Sequence, residues 1–306
     1  MGVLLTVAVI IAATAAGVSA ELRWHDRAAA AARATLTASV YTLLPFVTFF
    51  NLAHLHFDTD VGVGILLGWI AVGTVTVLAW LAGRSLDLPR PTRGAMITCA
   101  LIANTGYLGY PLCASLLGYD ALGQAVAWDV LVGGPALLLV GFAVGAAFGT
   151  KAGDSPSDRV RAFFTKNPPL YAAIAGLLAP GALAPDLLVD ASRVGVVALL
   201  PIGFFAVGAI LAEEAEEGYL TLGSPFRPEV SIAILLRMVV APALLLAMAA
   251  PLIDLPDPYL LLCAMPVGIN TLLVGHVYGL DLRLAAQAVA WSTAIAVIAA
   301  MVSLAV

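Results

Sequence analysis

The chain has 306 residues, 62% of them hydrophobic and only 11% charged, with a net charge of −5. An ordinary soluble domain carries roughly 25% charged and 45–50% apolar residues, so there are too few charges here to cover a water-facing surface. No basic domain or stripe is present, which excludes nucleic acid as a partner. The lipid bilayer is the expected surrounding.

Lipid admits only helices or closed barrels, because every backbone polar group must find its partner inside the protein. The apolar runs are long and lack the alternation of a lipid-facing strand. The expected fold class is therefore all-α, a polytopic membrane protein. Runs of about 20 apolar residues recur about ten times, near 2–20, 30–53, 61–83, 94–117, 121–149, 168–185, 193–212, 228–252, 259–278 and 284–305. The first ends Val18-Ser19-Ala20 with no basic residue before it. It reads as a span rather than a signal peptide, and the myristoylation pattern over residues 1–6 reads as accidental. Cys99, Cys113 and Cys263 all fall inside apolar runs and read as packing residues, not as disulfides or metal ligands.

Basic residues orient the spans. Arg23, Arg27, Arg33, Arg84, Arg90, Arg93, Lys151, Arg159, Arg161, Lys166, Arg227 and Arg283 follow odd-numbered spans, whereas Arg193 alone follows an even one. This predicts a multi-pass protein of the plasma membrane with both termini extracytoplasmic.

Two stretches repeat. Gly118-Tyr-Asp120 is followed by Gln124-Ala-Val-Ala-Trp128, and Gly279-Leu-Asp281 is followed by Gln287-Ala-Val-Ala-Trp291. A second echo pairs Leu43-Leu-Pro45 with Leu199-Leu-Pro201. Five spans in each copy is an odd number, so the second copy inserts upside down. The expected organisation is a first five-helix repeat over 1–149, a cytoplasmic connection over 150–167 and a second, inverted repeat over 168–306. Inverted repeats with Gly- or Pro-broken helices at matching places point to a secondary transporter with its site at the membrane midplane.

Both the fourth and ninth spans are broken in this way. The fourth reads Asn104-Thr105-Gly106-Tyr-Leu-Gly-Tyr-Pro111, and the ninth reads Met265-Pro266-Val-Gly-Ile-Asn270-Thr271. Proline removes a backbone donor, and glycine lets the chain leave helical geometry. Half-helix N-termini suit a carboxylate. Asn104, Thr105, Gly106, Pro111, Pro266, Asn270 and Thr271 are therefore the candidate substrate-binding residues, for a small organic anion.

The same segments resemble the signatures of the auxin efflux carrier family, related to the plant PIN proteins. Asn104-Thr-Gly-Tyr-Leu-Gly-Tyr-Pro111-Leu is similar to its N-T-G-F-L-G-x-P-L motif, and Met265-Pro266-x-x-x-Asn270 with Tyr278-Gly279-x-Asp281 is similar to its second-half motif. The plant members' Asn-Pro-Asn crossover is not reproduced. The resemblance covers nearly the whole chain. It implies ten helices with two crossing broken ones, and a permease for organic anions such as auxin, malonate or malate. It also implies a scaffold of spans 1, 2, 6 and 7, a mobile transport domain of spans 3–5 and 8–10, and a candidate homodimer through the scaffold.

Intramembrane ionisable groups are functional candidates by default. Asp129 follows Trp128, while its counterpart after Trp291 is Ser292. It is the candidate for carrying a coupling proton. Arg237 reads three ways: attracting an anion, pairing with an acid, or snorkelling to the inner surface. His276 reads as interfacial packing or a titrating group, and Asn51 as a helix–helix hydrogen bond. Gln124 and Gln287 read as bonds across the crossing helices, and Asp120 and Asp281 as helix caps. His54-Leu-His56 offers too few ligands for zinc. The run Glu213-Glu214-Ala-Glu216-Glu217 reads as a solvated helix end.

No resident cofactor or metal is expected; H⁺ or Na⁺ are the candidate coupling ions. A sodium-coupled symporter or cation/proton antiporter of the same architecture is the alternative function. An enzyme is disfavoured, since no H-E-x-x-H, G-x-S-x-G or paired intramembrane aspartates occur, and no nucleotide-binding G-x-x-x-x-G-K-[ST] is present.

Overall fold

Among the described residues, seven helices are long and apolar enough to cross a membrane: Leu4–Trp24, Arg27–Leu52, Thr59–Ser85, Tyr119–Phe148, Asp186–Glu216, Pro228–Ala249 and Leu282–Val302. The computed structural model describes residues 2–55, 58–151, 167–220 and 227–302, with single positions between 155 and 165. His56, Arg159 and Lys166 fall outside the described residues. Every named regular element among the described residues is helical. The protein is thus an all-helical, multi-pass membrane protein.

In chain order, α1 is Val3–Trp24, and α2 Asp26–Tyr41 and α3 Leu43–Leu52 share one span with a break at Thr42. Helix α4 is Thr59–Ser85, started by the Asp58 carboxylate, which accepts from the Val61 N–H. Three of the expected apolar runs do not form single long helices. One is split into α5 Arg90–Leu101 and α6 Tyr110–Leu116, and another into α13 Asp257–Cys263 and α14 Asn270–Tyr278. The third is the short α9, Pro168–Leu178, capped by the Asn167 side chain. The sequence pattern extends that run to 185, but Pro180 and Pro185 remove the donors needed to continue. The next helix, α10, starts early, at Asp186, and runs unbroken through Pro201 to Glu216.

The remaining spans are α7 Leu122–Trp128 continuing to α8 Phe142–Phe148, α11 Pro228–Leu235 continuing to α12 Ala241–Ala249, and α15 Leu282–Val302. Wide π turns interrupt three spans, at Thr105–Gly109, Asp129–Gly133 and Leu236–Val240. Each of these ends two residues before a proline, Pro111, Pro135 and Pro242, while a fourth π turn, Ala136–Gly141, directly follows Pro135. The cause is local. A proline in a helix leaves the carbonyl four residues back without its donor, and the chain widens there. The Leu131 carbonyl, four residues before Pro135, instead accepts from the Trp69 indole N–H at 2.9 Å.

Around α10 pack α1, α2 and α3, and α9 packs on α3. Helices α1 and α10 touch backbone to backbone. A Cβ on Gly17 would sit 2.1 Å from the Phe205 carbonyl oxygen, and one on Gly208 2.2 Å from that of Thr14, so only glycine permits the contact. Asn51 on α3 donates to the Ser192 hydroxyl on α10 at 3.1 Å, the helix–helix bond the sequence suggests. A second group gathers α4 against α5 and α12, and α5 against α8, α11 and α15. Leu4, Leu66, Leu187 and Ile298 are among the large apolar side chains left exposed on the outer face, as a lipid-facing surface requires.

Candidate functional site

The two broken spans meet at their breaks. Ala103 and Val267 form an antiparallel bridge. The Asn104 N–H donates to the Pro266 carbonyl and the Gly268 N–H to the Ile102 carbonyl, both at 2.9 Å. A shift of 164 residues maps one of these bonds onto the other. On that register the two breaks are equivalent but the two asparagines are not: Asn104 matches Gly268, and Asn270 matches Gly106. The backbones come so close that a Cβ on Gly268 would sit 2.8 Å from the Ala103 carbonyl oxygen.

A cavity of about 550 Å³ opens beside this crossing. Asn104, Thr105, Gly106, Gly268, Asn270 and Asp129 face it from the crossing, and Leu36 and Leu137 form apolar wall. Its size and its few convergent polar groups in apolar surroundings suit a small molecule. The first backbone bond entering the π turn runs from the Gly109 N–H to the Asn104 carbonyl, so the N–H groups of the preceding residues form a donor-rich half-helix start. The carboxamides of Asn104 and Asn270 make no side-chain hydrogen bond among the described residues, yet both reach the cavity.

Asp129 is fixed rather than loose. Its two carboxylate oxygens accept from the Thr105 hydroxyl and, at 2.8 Å, from the Tyr110 hydroxyl. Its counterpart Ser292 has the matching place in the other half, where its hydroxyl accepts from the Val267 N–H at 3.1 Å. Each repeated segment therefore braces the break of its own half.

Several expected site residues shape the crossing without facing the cavity. The Pro266 carbonyl is used by Asn104, the Thr271 hydroxyl donates to the Gly268 carbonyl at 2.9 Å, and Pro111 is buried in the first turn of α6. Arg237 is 2% exposed and does not line the cavity. Its guanidinium donates to the carbonyls of Leu101, at 3.2 Å, and Cys263. Neither snorkelling nor contact with a cavity anion describes it.

The far end of the cavity is ionic. Arg33 and Glu213 form a two-point pair at 2.6 and 2.7 Å. His276 on α14 meets the buried Glu214 on α10 at 2.6 Å, and His25 meets Glu216 at 3.3 Å. The acidic run is therefore solvated only at Glu216 and Glu217, while Glu213 and Glu214 are drawn into ion pairs; its periodicity could not reveal partners more than 60 residues away. Asp281 does cap α15, accepting from the Leu284 N–H at 3.1 Å. Asp120 caps nothing and pairs with Arg193 at 2.8 Å instead. Gln124 and Gln287 make no side-chain bond among the described residues, and the His54 ring meets the Ala184 carbonyl. Sequence reasoning missed Tyr110 and Glu214. The signal for Tyr110 was its place in the same break as Thr105, one residue before Pro111.

These features define a polytopic membrane protein with a polar site buried among its helices. Residues 162–304 match a family model described as membrane transport protein. An uncharacterized transporter of Methanocaldococcus jannaschii is similar over 225 residues at 28% identity, covering 70% of this chain and 69% of its own. The protein is a membrane transporter and not an enzyme. The two findings support an auxin efflux carrier family permease, the family that its Asn104–Pro111 and Met265–Asn270 segments resemble.

Proposed function

We propose that the protein is a secondary active transporter of small organic anions, such as carboxylates or auxin-like molecules. The observation that carries this reading is the pair of free carboxamides, Asn104 and Asn270, facing a cavity beside two half-helix starts. Unspent donors at a positive helix end recognise an anion. Two carboxylates in one cavity repel, so an anion entering beside Asp129 favours the arrival of a proton with it. Asp129 is thus the proposed proton carrier.

The proposed architecture is ten spans in two inverted copies of five, working as an elevator. The two-fold hydrogen-bond pair at the crossing supports the inverted relation. The packing supports a scaffold of α1–α3, α9 and α10, with α4–α8 and α11–α15 as the moving unit. The bias of basic residues supports a cytoplasmic location for the end bearing Arg33 and Glu213 and extracytoplasmic termini, so the cavity is read as inward-open.

A melting-temperature screen of purified protein against malonate, malate and indole-3-acetate tests the reading, because a ligand that binds the folded state stabilises it. At least one carboxylate should raise the melting temperature, and the rise should be lost in Asn104→Ala and Asn270→Ala. Stabilisation by amines or sugars alone, or a carboxylate response unchanged in both variants, would overturn it.

A further inference from the structure

Arg237 presents an electrostatic problem. It is a buried cation in the middle of a membrane-spanning segment, and among the described residues no carboxylate lies within ion-pair distance of it. A charge at such depth persists only with compensation. Its two carbonyl partners supply it. Leu101 is the last residue of α5, and Cys263 is the last residue of α13. Each is the C-terminal end of a half-helix that stops at the crossing. A helix C-terminus carries about −0.5 of an elementary charge, so two together present about −1. One guanidinium balances both.

In transporters built on broken helices, unwound carbonyls and half-helix C-termini are the groups that hold a coupling sodium ion. Here those groups are engaged by a side chain. The guanidinium is planar and permanently charged, and it reaches two carbonyls through separate N–H donors. It also comes from a different span, on the π turn ahead of Pro242, and so ties α11–α12 to both broken helices.

We propose that Arg237 is a tethered counter-ion taking the place of a coupling sodium ion at the crossing, so that transport proceeds without sodium. The proposal rests on the reading of the crossing as the transport site. It removes the sodium-symport alternative and leaves Asp129 as the group through which coupling enters. It also bears on the sign of the site: with the negative helix ends neutralised from behind, the half-helix starts are the partial charges left at the crossing, and a proton on Asp129, which faces the same cavity, leaves that side positive and suited to an anion.

The test compares wild type, Arg237→Lys and Arg237→Gln in sodium chloride, choline chloride and choline chloride with a low concentration of guanidinium chloride. Melting temperature and malonate uptake into proteoliposomes are read in each. Wild type should melt and transport alike in sodium and choline. Arg237→Gln should lose uptake in choline by about tenfold or more, since it orphans two buried carbonyls, and should melt lower. Sodium or guanidinium should restore part of both, while choline does not. Arg237→Lys should keep most of both. The proposal is overturned if wild type gains uptake or stability from sodium, or if Arg237→Gln matches wild type in choline. Should Arg237→Gln fail to fold, the wild-type salt comparison and the Arg237→Lys variant still decide. Absence of malonate uptake by wild type in every salt would count against the anion-transport reading, while the melting comparison would still judge Arg237.

Discussion

Substituting Gly268 by alanine perturbs the crossing without touching a charge or a candidate binding side chain. The added methyl carbon would sit 2.8 Å from the Ala103 carbonyl oxygen and 3.0 Å from its carbon, both of them backbone atoms. Neither can move aside without stretching the paired bonds from Gly268 to Ile102 and from Asn104 to Pro266. Two weakened backbone bonds at about 1 kcal/mol each, with overpacking of about 1–2 kcal/mol, give a loss of about 3–4 kcal/mol. Gly106, two residues beyond Asn104, is an internal control: a Cβ there meets nothing within 4 Å. Tryptophan-fluorescence melting in detergent is the assay. Gly268→Ala should melt lower by on the order of 5–10 °C, while Gly106→Ala should stay near wild type. Equal melting of the two variants would refute the claim that the segments touch backbone to backbone.

Asp129→Asn keeps the shape of the side chain beside Thr105 and Tyr110 but cannot carry a proton. Wild-type uptake should vary with pH, and the variant should flatten that profile; an unchanged profile removes Asp129 as the carrier. Glu214→Gln replaces the buried charge that pairs His276 on α14 with α10. It should cost about 1–3 kcal/mol and speed amide hydrogen exchange across Asn270–Tyr278. Exchange as slow as in wild type would show that this pair does not hold α14 against α10.

Much of this structure is readable in the chain because lipid enforces local rules. A run without charge must be a helix, and a run with Asn-Thr-Gly or Met-Pro-x-Gly at its centre must break. The crossing follows from those two breaks. What was not readable depends on register and distance. The asparagines look like equivalents by motif, but the hydrogen-bond register sets Asn104 opposite Gly268 in the pseudo-symmetry, because the breaks contain different numbers of residues before helix resumes. None of the three readings of Arg237 foresaw its partners, since nothing within its own span announces carbonyl ends from two other spans. Glu214 looked solvated because its partner, His276, comes 62 positions later. Three of the four π turns had a signal in the prolines two residues beyond them. That signal marks three polar residues, Thr105, Asp129 and Arg237, as sitting where the backbone is widened.

The central claim is that the unwound crossing itself recognises the anion. Calorimetric titration of purified protein with the carboxylate that stabilises it best, repeated on the double variant Asn104→Ala with Asn270→Ala, tests this most directly. Each lost hydrogen bond to a charged group is worth about 1.5–3 kcal/mol, so the affinity of the double variant should fall by at least about a hundredfold while its melting temperature without ligand stays near wild type. Binding of equal strength in a folded double variant would contradict the account.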